Sequence, residues 1–303
     1  MSQIANTVLL VSPLTFGFNE ETKESNTFQH HLQDSSKVIQ IKAEQEWNSV
    51  CKMLITKGVN VIAILDSQNP VKPDALFPNN WITTHEDGKI IIYPLLAKNR
   101  RTEKRLEIIN ALQQKYVTTD FINLSFFEKE DTFLEGTGSM VFDRDNKIIY
   151  SCLSARTHIE PLKYVGKLLG YEVVSFHAFN HNHPIYHTNV FMSVGSKWVA
   201  ICFDAIPDRF EKEKLKKSFK NTGKEIIELS IKQIDLFAGN ILELKSKTNE
   251  AIIVMSQTTL ESLSKCQKKQ FSSHGEICAA AVPTIEQVGG GGIRCLLAEI
   301  FLK

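Results

Sequence analysis

The chain has 303 residues, of which 35 are Lys or Arg and 34 are Asp or Glu, for a formal net charge of +1. So even a balance gives no electrostatic reason to expect nucleic acid or an anionic membrane surface as a partner. No apolar run approaches the ~20 residues needed to span a bilayer, and the length is ample for one large core.

In chain order, short apolar strands alternate with amphipathic helices and no linker interrupts them. Thr7–Ser12 (TVLLVS) reads as a buried strand, Gln29–Val38 as a polar loop, and Ala43–Lys57 as a helix stopped by Gly58. Val59–Leu65 is a strand. Asn79–Thr84 and Lys89–Tyr93 flank a His-Glu-Asp-Gly turn and predict a hairpin. Thr102–Tyr116 reads as a helix. Phe133–Phe142 and Lys147–Cys152 form a second predicted hairpin, followed by a helix over Pro161–Leu169 and a strand over Glu172–Phe176. Asn189–Val194 with Lys197–Phe203 makes a third hairpin. Arg209–Asn221 is then a helix, Glu225–Ser230 and Ala251–Met255 are strands, and Thr258–Lys269 is a helix. The order hairpin, helix, strand thus recurs, at a period of roughly 50 to 60 residues. Units that cannot bury their own faces must pack against neighbours, so closure around a shared axis is expected, as one domain over residues 1–303. Hairpins within each unit argue against an open Rossmann sheet.

The six cysteines form no C-x-x-C pair and no zinc spacing. Met1–Thr7 lacks a basic n-region, and Val8–Val11 is too short for a signal h-region, so a reducing cytoplasm with free thiols is expected. His177, His181, His183 and His187 crowd into eleven residues, with no Cys, Asp or Glu among them to complete a metal set. Asn180–Pro184 reads as a polar loop, and neither a metal nor a cofactor is expected.

Four consecutive glycines, Gly289–Gly292, precede Cys295 and a closing apolar run. No Lys-Ser/Thr pair follows, so this is not a phosphate loop. A cysteine before an apolar run is ordinarily core. At the edge of an open glycine loop it also suits a nucleophile, exposed on one side and anchored on the other.

The segments Leu76–His85 (LFPNNWITTH), Phe133–Met140 (FLEGTGSM), Leu153–Thr157 (LSART), His187-Thr-Asn189 and Gly289–Cys295 together resemble the pentein superfamily of guanidino-group-modifying enzymes. That superfamily holds the arginine deiminases, dimethylarginine dimethylaminohydrolases and amidinotransferases, and the likeness is greatest to its citrulline-utilisation hydrolase-like branch. The resemblance implies an α/β fold, a five-bladed propeller of ββαβ units around a central site. It also implies that Cys295 attacks a guanidine or urea carbon, that His187 protonates the leaving amine and activates water, and that Glu135 accepts substrate N–H groups. Arg156 would hold a substrate carboxylate, with Arg100 or Arg101 as a second anchor, and Phe77 would line the pocket. Chemistry agrees with these assignments: little of a free thiol is ionised at neutral pH without help, and arginine grips a carboxylate through two parallel bonds.

Two departures bear on the substrate. Where guanidinium-directed members usually carry carboxylates, this chain has Asn80 and Asn189. A carboxamide offers both an acceptor and a donor, which suits a neutral ureido group. The expected activity is a cysteine hydrolase acting on a non-peptide C–N bond of a citrulline-like amino acid. A deiminase or dimethylaminohydrolase and an amidinotransferase are the enzymatic alternatives, and a partner-binding scaffold is the non-enzymatic one. The expected partners are a small-molecule amino acid and possible further copies of the chain.

Overall fold

The structure, a computed structural model, describes residues 2–303. Five three-stranded sheets repeat one pattern, an antiparallel pair whose second strand pairs in parallel with a third, and in four of them the antiparallel pair is a hairpin. Parallel pairing needs a crossover, and the helix placed between the second and third strands supplies it. The sheets are Ile82–Thr84, Lys89–Ile92 and Asp120–Asn123; Val141–Asp143, Ile148–Cys152 and Glu172–Phe176; Met192–Val194, Trp198–Ile201 and Glu225–Glu228; and Leu242–Lys245, Ala251–Ser256 and Glu276–Ala280. The remaining sheet joins the chain's two ends: Thr7–Val11 runs parallel to Asn60–Ile64 and antiparallel to Ala298–Glu299.

The first strand of each hairpin is innermost. Ile82–Thr84 lies beside Ala298–Glu299, and Met192–Val194 lies between Val141–Asp143 and Leu242–Lys245. Polar side chains lace this inner ring together, as when Gln3 Nε2 donates to the carbonyls of both Phe142 and Val194. The middle strands are apolar on both faces and buried, as in Trp198–Ile201, because inner strands and outer helices enclose them. The outermost strands are the wettest, Asp120–Asn123 being mostly exposed. This is the expected pentein α/β propeller, with five blades around one axis.

The strand and helix expectations hold in kind but shift at their edges. Asn79 and Asn80 do not extend a strand. Pro78 forces a 3₁₀ turn over Pro78–Asn80 before the strand begins at Ile82. In the same way Gly136–Ser139 is a short helix and Thr188–Val190 a 3₁₀ turn. The first helix starts earlier, at Ser36, because the Ser35 side chain caps the Val38 amide. The helix expected over 102–116 divides into Asn99–Glu103 and Leu106–Lys115, and the one over 258–269 into Gln257–Ser262 and Lys265–His274. The strands Asp120–Asn123, Leu242–Lys245 and Glu276–Ala280 add to the pattern read from sequence. Asn180–Pro184 is a small hairpin, with His181 and Asn182 at its positive-φ turn.

Among the described residues no helix is long and apolar enough to cross a membrane.

Candidate active site

The short turns that precede the inner strands gather at one end of the axis. The helix Gly136–Ser139 packs against both Pro78–Asn80 and Thr188–Val190, and the helix Ile293–Leu296 packs against Pro78–Asn80. A glycine makes one of these approaches possible: a Cβ at Gly138 would stand 2.6 Å from Asn80 Nδ2 and 2.7 Å from His187 Nδ1. Between the turns is a narrow cleft, lined by Asp74, Phe77, Asn80, Arg100, Arg156, Tyr186, His187 and Cys295 among others.

Of the eight side chains singled out from sequence, Glu135, His187, Arg100, Arg156 and Asn80 form one polar network, Cys295 and Asn189 are bonded in a second, and Phe77 lines the cleft. His187 Nε2 meets Glu135 Oε2 at 2.8 Å, and the same oxygen lies 3.5 Å from Arg156 and 3.7 Å from Arg100. Burial alone would raise the Glu135 pKa, but Arg156, His187 and Arg100 outweigh it and hold the carboxyl well below the usual range. Burial is also the main influence on His187 and, against the pull of Glu135, lowers its pKa to about 4. The resting pair is therefore a carboxylate and a neutral imidazole whose Nε2–H donates to Glu135, leaving Nδ1 as an acceptor.

Arg100 is bound on all sides. It forms a bidentate pair with Glu103 at 2.9 and 3.0 Å, donates to Asn80 Oδ1 at 3.0 Å, and stands 3.6 Å from Asp74. Arg101 points away, to the Leu95 carbonyl and Glu128, which settles which of the two faces the cleft. Arg156 donates to Ser25 Oγ and the Thr22 carbonyl and stacks 4.7 Å from the Tyr186 ring.

Cys295 occupies the helix that follows the glycines and is only 5% exposed, less open than the sequence suggested. Its Sγ accepts from Asn240 Nδ2 at 3.2 Å and from Asn189 Nδ2 at 3.6 Å. Burial raises its pKa, with the two carboxamides, Arg294 and Arg100 acting in the opposite direction.

The sequence reading missed Asp74, Asn240, Tyr186 and the Asn19–Gln29 loop. Asp74 is buried beside Arg100, accepts from Asn19 Nδ2 at 2.6 Å and keeps Oδ1 without a partner. Asn26 and Gln29 hold the glycine loop through the Gly289 and Val288 carbonyls. The histidine cluster does not converge: His177 pairs outward with Glu211 and His181 with Asp235. Among the described residues no three His, Cys, Asp or Glu side chains are grouped as a metal site.

Five blades around an axial cysteine, with a His–Glu pair and two buried arginines beside it, define the guanidino-modifying class of the pentein superfamily. The model of one family within it, described as N,N dimethylarginine dimethylhydrolase, eukaryotic, matches residues 12–302, and the chain belongs to that family. It is accordingly a hydrolase of C–N bonds other than peptide bonds. A sequence search of curated proteins finds no match.

Solved structures share the fold. The arginine dihydrolase ArgZ, from the ornithine–ammonia cycle in cyanobacteria, superposes with a TM-score of 0.75 at 18% identity. That alignment covers 97% of this chain but 40% of ArgZ, so this chain spans well under half of the full-length enzyme. The product-bound N-terminal domain of ArgZ gives 0.73 at 18% identity, covering 98% of this chain and 99% of the domain. A dimethylarginine dimethylaminohydrolase adduct gives 0.66 at 16% identity, covering 98% of this chain and all of that one.

Proposed function

We propose that this chain is a cysteine hydrolase that cleaves a terminal C–N bond of a ureido or guanidino α-amino acid, with a citrulline-like substrate favoured. The observation that carries this reading is the amide wall around the nucleophile. Asn80 lines the cleft together with Cys295 and keeps Nδ2 buried without a partner, while Asn189 and Asn240 hold the Cys295 sulfur through their Nδ2 groups. Unsatisfied buried polar atoms are costly unless a ligand completes them. A free carboxamide donor beside the sulfur complements the C=O of a neutral ureido group, where a carboxylate would suit a cation.

In this mechanism His187 Nδ1 takes the Cys295 proton and passes it to the departing nitrogen. The thiolate adds to the substrate carbon, the terminal C–N bond breaks, and ammonia leaves. Water activated by His187 then opens the thioester-like adduct. For citrulline, one water in all gives ornithine, carbon dioxide and ammonia. Glu135 keeps the imidazole oriented and receives substrate N–H groups, while Arg156 and Arg100 supply positive charge for the α-carboxylate.

A second reading rests on Asp74, whose free buried oxygen suits a guanidinium. Arginine would then enter as the cation and be hydrolysed through the ureido stage to ornithine, the dihydrolase outcome that ArgZ's name describes. The test is a panel of citrulline, arginine and dimethylarginine, read for ammonia and for the amino-acid product. Ornithine from citrulline supports the first reading, and ornithine with two ammonia per arginine supports the second. Citrulline accumulating from arginine or dimethylarginine would overturn both in favour of a deiminase-type enzyme.

A further inference from the structure

The three carboxamides at the cleft occupy one place in three different blades. Asn80-Trp-Ile, Asn189-Val-Phe and Asn240-Ile-Leu each put an asparagine just ahead of an inner strand. The first two lie in motifs that already stood out. Asn240 lies in none, yet it makes the shortest side-chain contact to the sulfur, 3.2 Å.

The orientation of its amide is fixed by chemistry. Asn240 Nδ2 also donates to the Asn189 backbone carbonyl at 3.0 Å, and a carbonyl can only accept. The NH₂ must therefore face that carbonyl and Sγ together, with Oδ1 turned the other way. Oδ1 in turn points at Gly292, where a Cβ would come within 2.8 Å. The fourth glycine leaves the room that this orientation needs. On the other flank, a Cβ at Gly239 would meet the Phe191 backbone at 2.4 Å, so the chain ahead of Asn240 is seated directly on the neighbouring blade.

From this we infer that Asn240 positions and stabilises the Cys295 thiolate, so that a carboxamide cradle helps hold the nucleophile's charge once His187 has taken its proton. An amide N–H donated to an anionic sulfur is a charge-assisted bond and favours the charged form. Buried, water-excluded donors are where such bonds matter most. Other groups facing the sulfur are Arg294 on its own helix, Arg100, Arg156 and Asp74 across the cleft, and Tyr186 and His187 from the loop before Thr188–Val190. Both His187 and Glu135 are engaged with each other, which leaves the amides as the side chains bonded to the sulfur.

The assignment rests on Cys295 being the nucleophile of the proposed reaction, but its test needs no substrate. Thiolate absorbance in the ultraviolet is followed against pH for the full chain, and the same protein carrying Cys295→Ser is subtracted to isolate Cys295. Asn240→Ala should raise the inflection by about one pH unit, a roughly tenfold loss of thiolate below it. Asn240→Asp, which is isosteric but brings negative charge, should raise it further. Gly292→Ala, which crowds the amide without removing it, should give a smaller shift in the same direction. A merely structural role would lower the melting temperature and leave the inflection alone. If Asn240→Asp folds and titrates like the wild type, the proposal is wrong, whether or not Asn240→Ala folds. If the inflection moves while no ureido or guanidino amino acid is turned over, the cradle stands and the proposed function fails.

Discussion

The two walls of the cleft are built from opposite materials. On one side Arg100, Glu103, Asp74, Glu135 and Arg156 form a buried ionic network in which most polar atoms already have partners. On the other, Asn189 and Asn240 donate to the Cys295 sulfur while Asn80 lines the cleft, and each carboxamide leaves one atom unused. The ionic wall is self-sufficient and fixes geometry. Breaking such a network strands a buried charge and costs about 3–5 kcal/mol. The amide wall has no charge pair to strand, so under the proposed function its contribution should appear in turnover more than in stability.

The most severe break in that contrast is at the nucleophile. Cys295→Ser should lower turnover about 10⁴-fold or more, because a hydroxyl is scarcely ionised at neutral pH, while the melting temperature stays near that of the wild type. Residual turnover above a few per cent of wild type would rule out covalent catalysis by this residue. Next comes the amide wall. Asn80→Asp keeps the acceptor that Arg100 uses but loses the free Nδ2 donor. Citrulline turnover should fall about 10²–10³-fold, the usual effect of removing one oxyanion donor, with a relative gain for arginine. An unchanged citrulline-to-arginine ratio would remove the ureido preference.

Smaller effects belong to the ionic wall. Arg156→Lys retains the charge but cannot reproduce the planar fork, so KM should rise about 10–100-fold with kcat less affected. A substrate lacking the α-carboxylate should be indifferent to that change; equal sensitivity would argue against the carboxylate role. The pH dependence of folding offers a finer test. His187 has a folded pKa near 4, below its unfolded value of about 6.5, so its contribution is present above that unfolded value. As pH falls from about 6.5 towards 4 the unfolded chain binds more protons, and stability drops by up to about 1.4 kcal/mol per unit. Glu135, held low by its cations, adds a further loss at more acidic pH. Denaturant titrations should show His187→Asn losing the first slope and keeping the second. Smallest of all, Cys202→Ala should leave turnover unchanged and cost only packing, since that side chain is fully buried among apolar neighbours.

Much of this arrangement was legible because the pentein repeat writes itself into turn chemistry and apolar runs. The middle strands, buried on both faces, gave continuous apolar segments, and four motif turns carried Asn80, Glu135, His187 and Cys295 to the axis. The outer strand Asp120–Asn123 was hard to read because it is mostly exposed and has no continuous apolar run. Asp74 lay hidden for a different reason. Its neighbours Asn19 and Arg100 are 55 and 26 residues away, and only folding brings the three together. Asn240 was recoverable in principle, by setting the three asparagine-apolar-apolar segments one above another. Read singly, Gly239-Asn240 looks like an ordinary turn.

Ring closure has a consequence in time. The final strand Ala298–Glu299, which pairs with Thr7–Val11, lies three residues beyond the cysteine. A nascent chain therefore carries four complete blades before it carries either the seam or the Cys295 sulfur. Closing the circle and completing the proposed site are one event, so a product truncated before residue 295 would have neither. Proteins that open by loosening this seam would disarm in the same movement.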